Sequence, residues 1–135
     1  MKPGHRYRIV TNNPLVRDCL SDWYQIDYHD ISFREILVMV RDLVYAGHQL
    51  YTHPIAGSVK PNETPYKSIV VSKEKKGFNM DHANLCANAI ITFDKFTPIG
   101  WTLPERILQD FQLIDYTLLA GALDFDAAAG LSKLP

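Results

Sequence analysis

The sequence predicts an α/β fold, a single-domain three-layer sandwich built on a mostly parallel four-stranded sheet. Short β-prone segments alternate with amphipathic segments in the first half of the chain, which favours parallel strands joined by right-handed crossovers. The length of 135 residues is that of one domain, so residues 1–135 are treated as one unit. Hydrophobic residues make up 47% of the chain and charged residues 21%, as in a folded globular protein.

Four strands and four helices are predicted, each from its own local pattern. The predicted strands cover residues 6–11, 23–28, 49–52 and 66–72, and the predicted helices cover 14–20, 33–46, about 79–95, and a stretch that opens at 102–105 and ends before Gly121. The tail over 123–135 is alanine-rich and acidic, and its composition leaves open whether it is ordered.

Caps and stops mark the elements of the first half. The first strand is short and β-prone, and residues 12–14 (Asn-Asn-Pro) end it because Asn caps helices and Pro suits the first helical position. The second strand shows alternating apolar residues. The second helix opens with a capping box at Ser32 and Glu35, and Gly47 provides its left-handed stop.

The second half has weaker signals. Residues 49–52 and 66–72 are β-prone, and the charged run over 73–77 is interpreted as a solvated turn. Either Asn79 or Asp81 caps the third helix.

The last predicted helix opens with a second capping box, formed by Thr102 and Glu105. Its buried face is predicted from four residues that share a helical stripe, namely Ile107, Phe111, Ile114 and Leu118. Apolar character outside that stripe, at Leu113, Tyr116 and Leu119, predicts homodimerisation through this helix.

A strand order of 2-1-3-4 predicts a ligand crevice. In that order the winding direction reverses between the first and third strands, and open α/β sheets bind ligands at such a point, at the carboxyl ends of the strands. The turn at 11–14 and the loop at 53–65 would meet there. The loop is 13 residues long and contains three prolines, and ordered loops of this length are usually functional.

The chemistry of these two segments indicates an anionic ligand. The helix start at Pro14 offers backbone N–H groups to a carboxylate or phosphate, and lysines in and after the loop supply positive charge. The predicted ligand-binding residues are Thr11, Asn12, Asn13, Thr52, His53, Gly57, Ser58, Lys60, Asn62, Glu63, Thr64 and Lys67. His53 is also the candidate for proton transfer, the alternative being a histidine that caps loop backbone groups.

Composition and motifs exclude several other classes of function. A formal net charge of −1 indicates no nucleic-acid partner, and the absence of a long apolar run indicates no membrane span. Neither a Walker loop nor Gly-x-Gly-x-x-Gly occurs, so no nucleotide cofactor is predicted. The histidines lack metal-ligand spacing and the two cysteines fit buried positions, so no metal is predicted. A cytoplasmic location is expected because no signal-peptide core follows the start.

Three stretches of the chain resemble the GrdX family. They are residues 9–14, residues 41–44 with Gly47 and His48, and the long motif over 52–68. GrdX proteins are small proteins encoded beside the glycine, sarcosine and betaine reductase systems of amino-acid-fermenting anaerobes. The likeness covers about residues 6–95 and implies a metabolic context rather than a reaction.

Three functional hypotheses follow. The first is an accessory protein that holds a small anion, with Thr11, Asn12 and Asn13 orienting the ligand and Ser58 and Lys60 neutralising it. The second is a small hydrolase or transferase with His53 as general acid or base and Lys60 stabilising negative charge. The third is an assembly or regulatory module whose loop is recognised by a subunit of an amino-acid reductase complex.

Overall fold

The computed structural model describes residues 6–55, 63–96 and 103–134. Within them, four strands form one sheet and five helices cover it. The elements in chain order are β1 (Tyr7–Thr11), α1 (Pro14–Leu20), β2 (Gln25–Tyr28), α2 (Phe33–Tyr45), β3 (His48–Leu50), β4 (Ser68–Lys75), α3 (Met80–Phe93), α4 (Glu105–Ala122) and α5 (Ala127–Leu131).

The sheet is mixed, with strand order β2-β1-β4-β3. β1 pairs in parallel with β2, whereas β4 is antiparallel to both β1 and β3. The predictions of a mostly parallel sheet and of order 2-1-3-4 are therefore wrong. The chain from β3 to β4 contains no helix in its described part, and antiparallel strands, unlike parallel ones, need no crossover helix between them.

Helices cover both faces of the sheet. Successive residues of the two central strands alternate between two hydrophobic cores, as the two-residue period of a strand requires. Val10 and Val71 belong to the core beneath α2 and α3. Ile9 and Val70 belong to the opposite core, which α1 and α4 cover and whose edge contacts α5.

The predicted caps are confirmed for the first three helices. The side chain of Asn13 accepts from the amide of Leu15 at the start of α1, and Asn79 caps α3. Ser32 and Glu35 form the reciprocal capping box of α2. Gly47 follows α2 with φ of 113°, the left-handed conformation that favours glycine.

Two boundary predictions need correction. β4 continues to Lys75, so the charged run interpreted as a turn over 73–77 begins as strand. The N-cap of α4 is Pro104, so Glu105 is the first residue of the helix and not the third, as the predicted capping box requires. Thr102, the other member of that box, lies outside the described residues.

The predicted buried face of α4 is also wrong. The buried residues of this helix are Tyr116, Leu119 and Ala120, whereas Ile114 and Leu118 are 39% and 45% exposed. The helix is therefore rotated relative to the prediction, because apolar residues surround much of its circumference and several stripes compete for the core. No helix within residues 6–55, 63–96 and 103–134 has both the length and the apolar character to cross a membrane.

Candidate functional site

Asn12 ties the end of β1 to the approach to β4. Its side-chain Nδ2 donates to the backbone oxygens of Ile31 and Pro65, both at 2.9 Å. Its Oδ1 accepts from the amide of Lys67 at 2.8 Å. Asn12 is 2% exposed, and these three bonds satisfy its buried amide group. The turn after the first strand and the end of the long loop therefore do meet.

A directed chain of hydrogen bonds runs inward from this turn. The amide of Asn13 donates to Thr11 Oγ1 at 3.0 Å, and the Thr11 and Ser68 hydroxyls lie 2.6 Å apart. Ser68 Oγ donates to Asp115 Oδ2 at 2.7 Å. Because a hydroxyl carries one hydrogen, Ser68 must accept from Thr11, and the chain ends on the carboxylate.

Asp115, on α4, closes this cluster. Asn13 Nδ2 donates to Asp115 Oδ2 at 3.0 Å and to the backbone oxygen of Gln112 at 2.9 Å. Gln112 in turn donates to the Tyr66 hydroxyl at 2.8 Å. We call Thr11, Asn13, Lys67, Ser68 and Asp115 the polar cluster.

The polar cluster contains one acid, Asp115, and one base, Lys67, and both are half-buried. Burial raises the pKa of Asp115, while the hydrogen bonds from Asn13 and Ser68 and the charge of Lys67 lower it. Burial lowers the pKa of Lys67, and the charge of Asp115 opposes that change. Among the residues that the structure describes, no carboxylate lies within ion-pair distance of the Lys67 ammonium group.

Sequence reasoning missed Asp115. It is the only charged residue between Asp110 and Asp124, so it stands alone in an apolar helical stretch. A solitary carboxylate in such a stretch indicates a polar site in the folded protein, because a buried charge needs a partner. Its hydrogen-bond partners Ser68 and Asn13 are 47 and 102 positions away in the chain, and no local pattern indicates them.

A family model described as GrdX-like protein matches residues 8–124. The chain belongs to the GrdX-like protein family. The match extends well beyond the stretch over 6–95 that carries the resemblance, and it includes the whole of α4 and thus Asp115. Neither a curated protein nor a solved structure matches this GrdX-like chain.

Two other predicted site residues, Thr52 and Thr64, have local roles in the GrdX-like chain. Thr52 Oγ1 accepts from the amide of Val70 at 3.0 Å, which fixes it to β4. Thr64 is buried, and its Oγ1 accepts from the amide of Tyr66 at 3.2 Å. Glu63 is exposed.

His53 is exposed, and its Nδ1 lies 3.2 Å from the amide of Ile55, which donates to it. This contact is of the loop-capping kind that the sequence allowed as the alternative to proton transfer. It does not by itself supply the hydrolase or transferase hypothesis with a partner for catalysis.

Four predicted ligand-binding residues lie outside the part of the chain that the structure describes, namely Gly57, Ser58, Lys60 and Asn62. Within the described part of the predicted site, the hydrogen bonds of Asn12 join the turn at 11–13 to Pro65 and Lys67. Their meeting place differs from the predicted crevice, because β4 separates β1 from β3. Across residues 6–55, 63–96 and 103–134, no group of three or more His, Cys, Asp or Glu side chains is arranged to hold a metal ion.

Proposed function

We propose that this GrdX-like protein is an accessory protein that binds a small anion, a phosphate or an amino-acid-derived carboxylate, between the turn at 11–14 and the loop at 53–65. The observation that carries this proposal is Lys67. Its side chain is half-buried, burial lowers the pKa of its ammonium group, and no carboxylate of the described residues makes an ion pair with it. A desolvated charge is costly without a partner, and an anionic ligand would supply one.

The hydrogen bonds of the turn refine the roles within this proposal. Both amide hydrogens of Asn12 and of Asn13 are donated inside the protein. We therefore assign Thr11, Asn12 and Asn13 to the wall of the site, where they orient Lys67 and the start of β4. Direct neutralisation of the ligand is assigned to Lys67, with Ser58 and Lys60 of the loop.

Replacing Lys67 by methionine is expected to weaken anion binding. Loss of one charge-assisted contact corresponds to at least about a tenfold rise in Kd. Isothermal titration calorimetry with inorganic phosphate, acetyl phosphate, glycine, sarcosine and betaine measures the effect. Lys76→Met removes the charge of an exposed lysine and is the matched control.

Two results would contradict the proposal. One is the absence of binding of all five compounds to the wild type. The other is an equal loss of binding in the Lys67→Met and Lys76→Met variants, since a general change in net charge would then explain both.

We also propose a biological setting for this activity, based on the resemblance to the GrdX family. The protein would act in the cytoplasm during amino-acid fermentation, beside a glycine, sarcosine or betaine reductase system. A subunit of that reductase complex is the protein partner that the regulatory hypothesis requires.

A second candidate role, self-association, is favoured by the surface of α4. The predicted dimer residues Tyr116 and Leu119 are buried in the protomer, so that part of the predicted interface is wrong. The helix nevertheless leaves Leu113, Ile114 and Leu118 exposed, at 44%, 39% and 45%. We propose that this surface, which keeps only Leu113 of the predicted interface, joins two copies of the chain.

The substitution Ile114→Glu is expected to convert a dimer into a monomer, because a charge in an apolar interface is left desolvated and unpaired. Light scattering coupled to gel filtration measures the mass. Ile91→Glu is the control, since Ile91 on α3 is 58% exposed. A monomeric wild type at working concentration would refute this role.

A further inference from the structure

A cavity lies on the same face of the sheet as the polar cluster, but at the other end of β1. Its volume is about 320 Å³. Seven residues line it, namely Tyr7, Tyr51, Thr52, Val70, Ala122, Leu123 and Asp124. Tyr7 and Thr11 are four strand positions apart, so about 13 Å separates this cavity from the polar cluster. We call it the tyrosine cavity.

Two aromatic rings form one corner of the tyrosine cavity. The rings of Tyr7 and Tyr51 have centroids 5.3 Å apart and are inclined at 72°. Tyr7 also stacks on Tyr24 at 6.4 Å. The guanidinium carbon of Arg6 lies 5.9 Å from the Tyr7 centroid, so this ring already attracts one cation of the chain.

The opposite wall of the cavity is negative. It is the carboxyl end of α4, where the helix dipole leaves partial negative charge, and the last turn of α4 contains no basic residue. Asp124 is the second residue after α4, and among the described residues no cation forms an ion pair with it. Burial raises the pKa of Tyr24, and electrostatic interactions with Tyr7 and Asp124 add to that effect.

The backbone holds Asp124 in an unusual conformation. Its φ of 53° is in the left-handed region, and among the described non-glycine residues it is alone there. Aspartate and asparagine adopt this conformation more readily than other residues, but still at a cost. The strain indicates that the rest of the structure determines where this carboxylate points.

We propose that the tyrosine cavity binds a small organic ammonium ion, with the aromatic corner and the Asp124 carboxylate surrounding its charged group. Aromatic rings and one carboxylate suit a weakly hydrated cation such as an alkylated amine better than a metal ion, which needs several oxygen ligands. Thr52 Oγ1 accepts from the amide of Val70, which leaves its own hydrogen for a hydroxyl or carbonyl on the ligand. This site is independent of the anion site proposed at Lys67.

Choline and its uncharged isostere neohexanol, in which carbon replaces nitrogen, test the proposal by separating charge from shape. Calorimetric titration of the full chain is expected to show binding of choline and at least about tenfold weaker binding of neohexanol. Equal binding of the two compounds, or binding of neither, overturns the proposal.

Two substitutions assign the binding to this cavity. Asp124→Asn removes the charge and keeps a residue that tolerates the left-handed backbone, and Tyr51→Leu removes one ring of the corner. Each is expected to raise the Kd for choline by about tenfold. Asp110→Asn and Tyr45→Leu change exposed residues elsewhere and are the matched controls. Equal losses in test and control variants overturn the assignment.

The same methylated ammonium group occurs on free metabolites and on lipid headgroups. Because the cavity has room for a small molecule, we expect free choline to bind and phosphatidylcholine vesicles to leave the protein in the supernatant after sedimentation. Sedimentation with the vesicles that Asp124→Asn abolishes would overturn the free-molecule proposal in favour of a headgroup.

Discussion

Replacing Asp115 by alanine is expected to lower the free energy of unfolding by about 3 kcal/mol at acidic pH. The substitution removes the acceptor of Ser68 Oγ and of Asn13 Nδ2. Ser68 is 6% exposed and Asn13 is fully buried, so water cannot readily replace the carboxylate. Each unsatisfied buried donor costs about 1–3 kcal/mol, and relief from burying the carboxyl group offsets part of the sum.

The pH dependence of this loss has a definite sign. Burial raises the pKa of Asp115, so the folded protein holds this proton more tightly than the unfolded chain. The stability that protonated Asp115 contributes is therefore fully present below the unfolded pKa and is lost as pH rises through the folded pKa. The difference between wild type and Asp115→Ala should accordingly shrink as the pH rises from acidic to neutral.

Asp115→Asn is the matched control for this prediction. Its side-chain oxygen can still accept from Ser68 and Asn13, and it behaves as a permanently uncharged Asp115. Urea denaturation of the three proteins from acidic to neutral pH measures the effects. We expect Asp115→Asn to be much less destabilising than Asp115→Ala and not to show the pH dependence of the wild type. An alanine variant as stable as wild type would show that the polar cluster does not support the fold.

The helix ends that are marked by a capping residue or a glycine close by in the sequence could be predicted. Asn13 and Ser32 cap the helices that were expected at those positions, and Gly47 ends the second helix. Such signals work because a cap satisfies backbone groups of its own helix and needs nothing from the rest of the chain.

The position of β4 could not be predicted in the same way. Local pattern identified a strand there, but its place between β1 and β3 is decided by pairing between residues far apart in sequence. The buried face of α4 could not be predicted for the same reason. Apolar residues lie on several faces of this helix, and only the surface that it covers decides which face is buried. The exposed Leu118 and the buried Leu119 are adjacent in sequence and equally hydrophobic.

Part of the candidate site, the turn at 11–14 and Lys67, could be predicted from the sequence, whereas Asp115 could not. The turn at 11–14 and Lys67 were predicted to meet, and they do, through the side chain of Asn12. The expected reason was adjacency of the first and third strands, whereas the actual reason is that antiparallel β4 starts where β1 ends. Asp115 could not be placed there, since a residue on a distant helix joins such a cluster only through tertiary packing.

A second large loss of stability is expected for Gly130→Ala, at a buried position in α5. A Cβ atom added there would overlap the Tyr116 hydroxyl and lie 3.1 Å from the backbone oxygen of Cys19. The Tyr116 side chain has no exposed surface, and its hydroxyl donates to the backbone oxygen of Ala127 at 2.6 Å. Moving the ring away from the new methyl group would therefore break that hydrogen bond.

Gly130→Ala should consequently destabilise the protein by about 3 kcal/mol, through overpacking and loss of a buried hydrogen bond. Gly121→Ala is the matched control, because Gly121 lies within α4 and has nothing within 4 Å of the added Cβ. Removing a glycine from the last turn of this helix should stabilise the chain by up to about 0.5–1 kcal/mol. Urea denaturation distinguishes the two variants by the sign of the change.

A double variant tests the cause of the Gly130→Ala effect. Tyr116→Phe alone should be destabilising, because it removes the bond to Ala127. In the double variant with Gly130→Ala, it also removes the hydroxyl that the new methyl group meets first. The double variant should therefore be destabilised by clearly less than the sum of the two single variants. Strict additivity would show that the contact with Cys19, rather than the hydroxyl of Tyr116, excludes a side chain at this position.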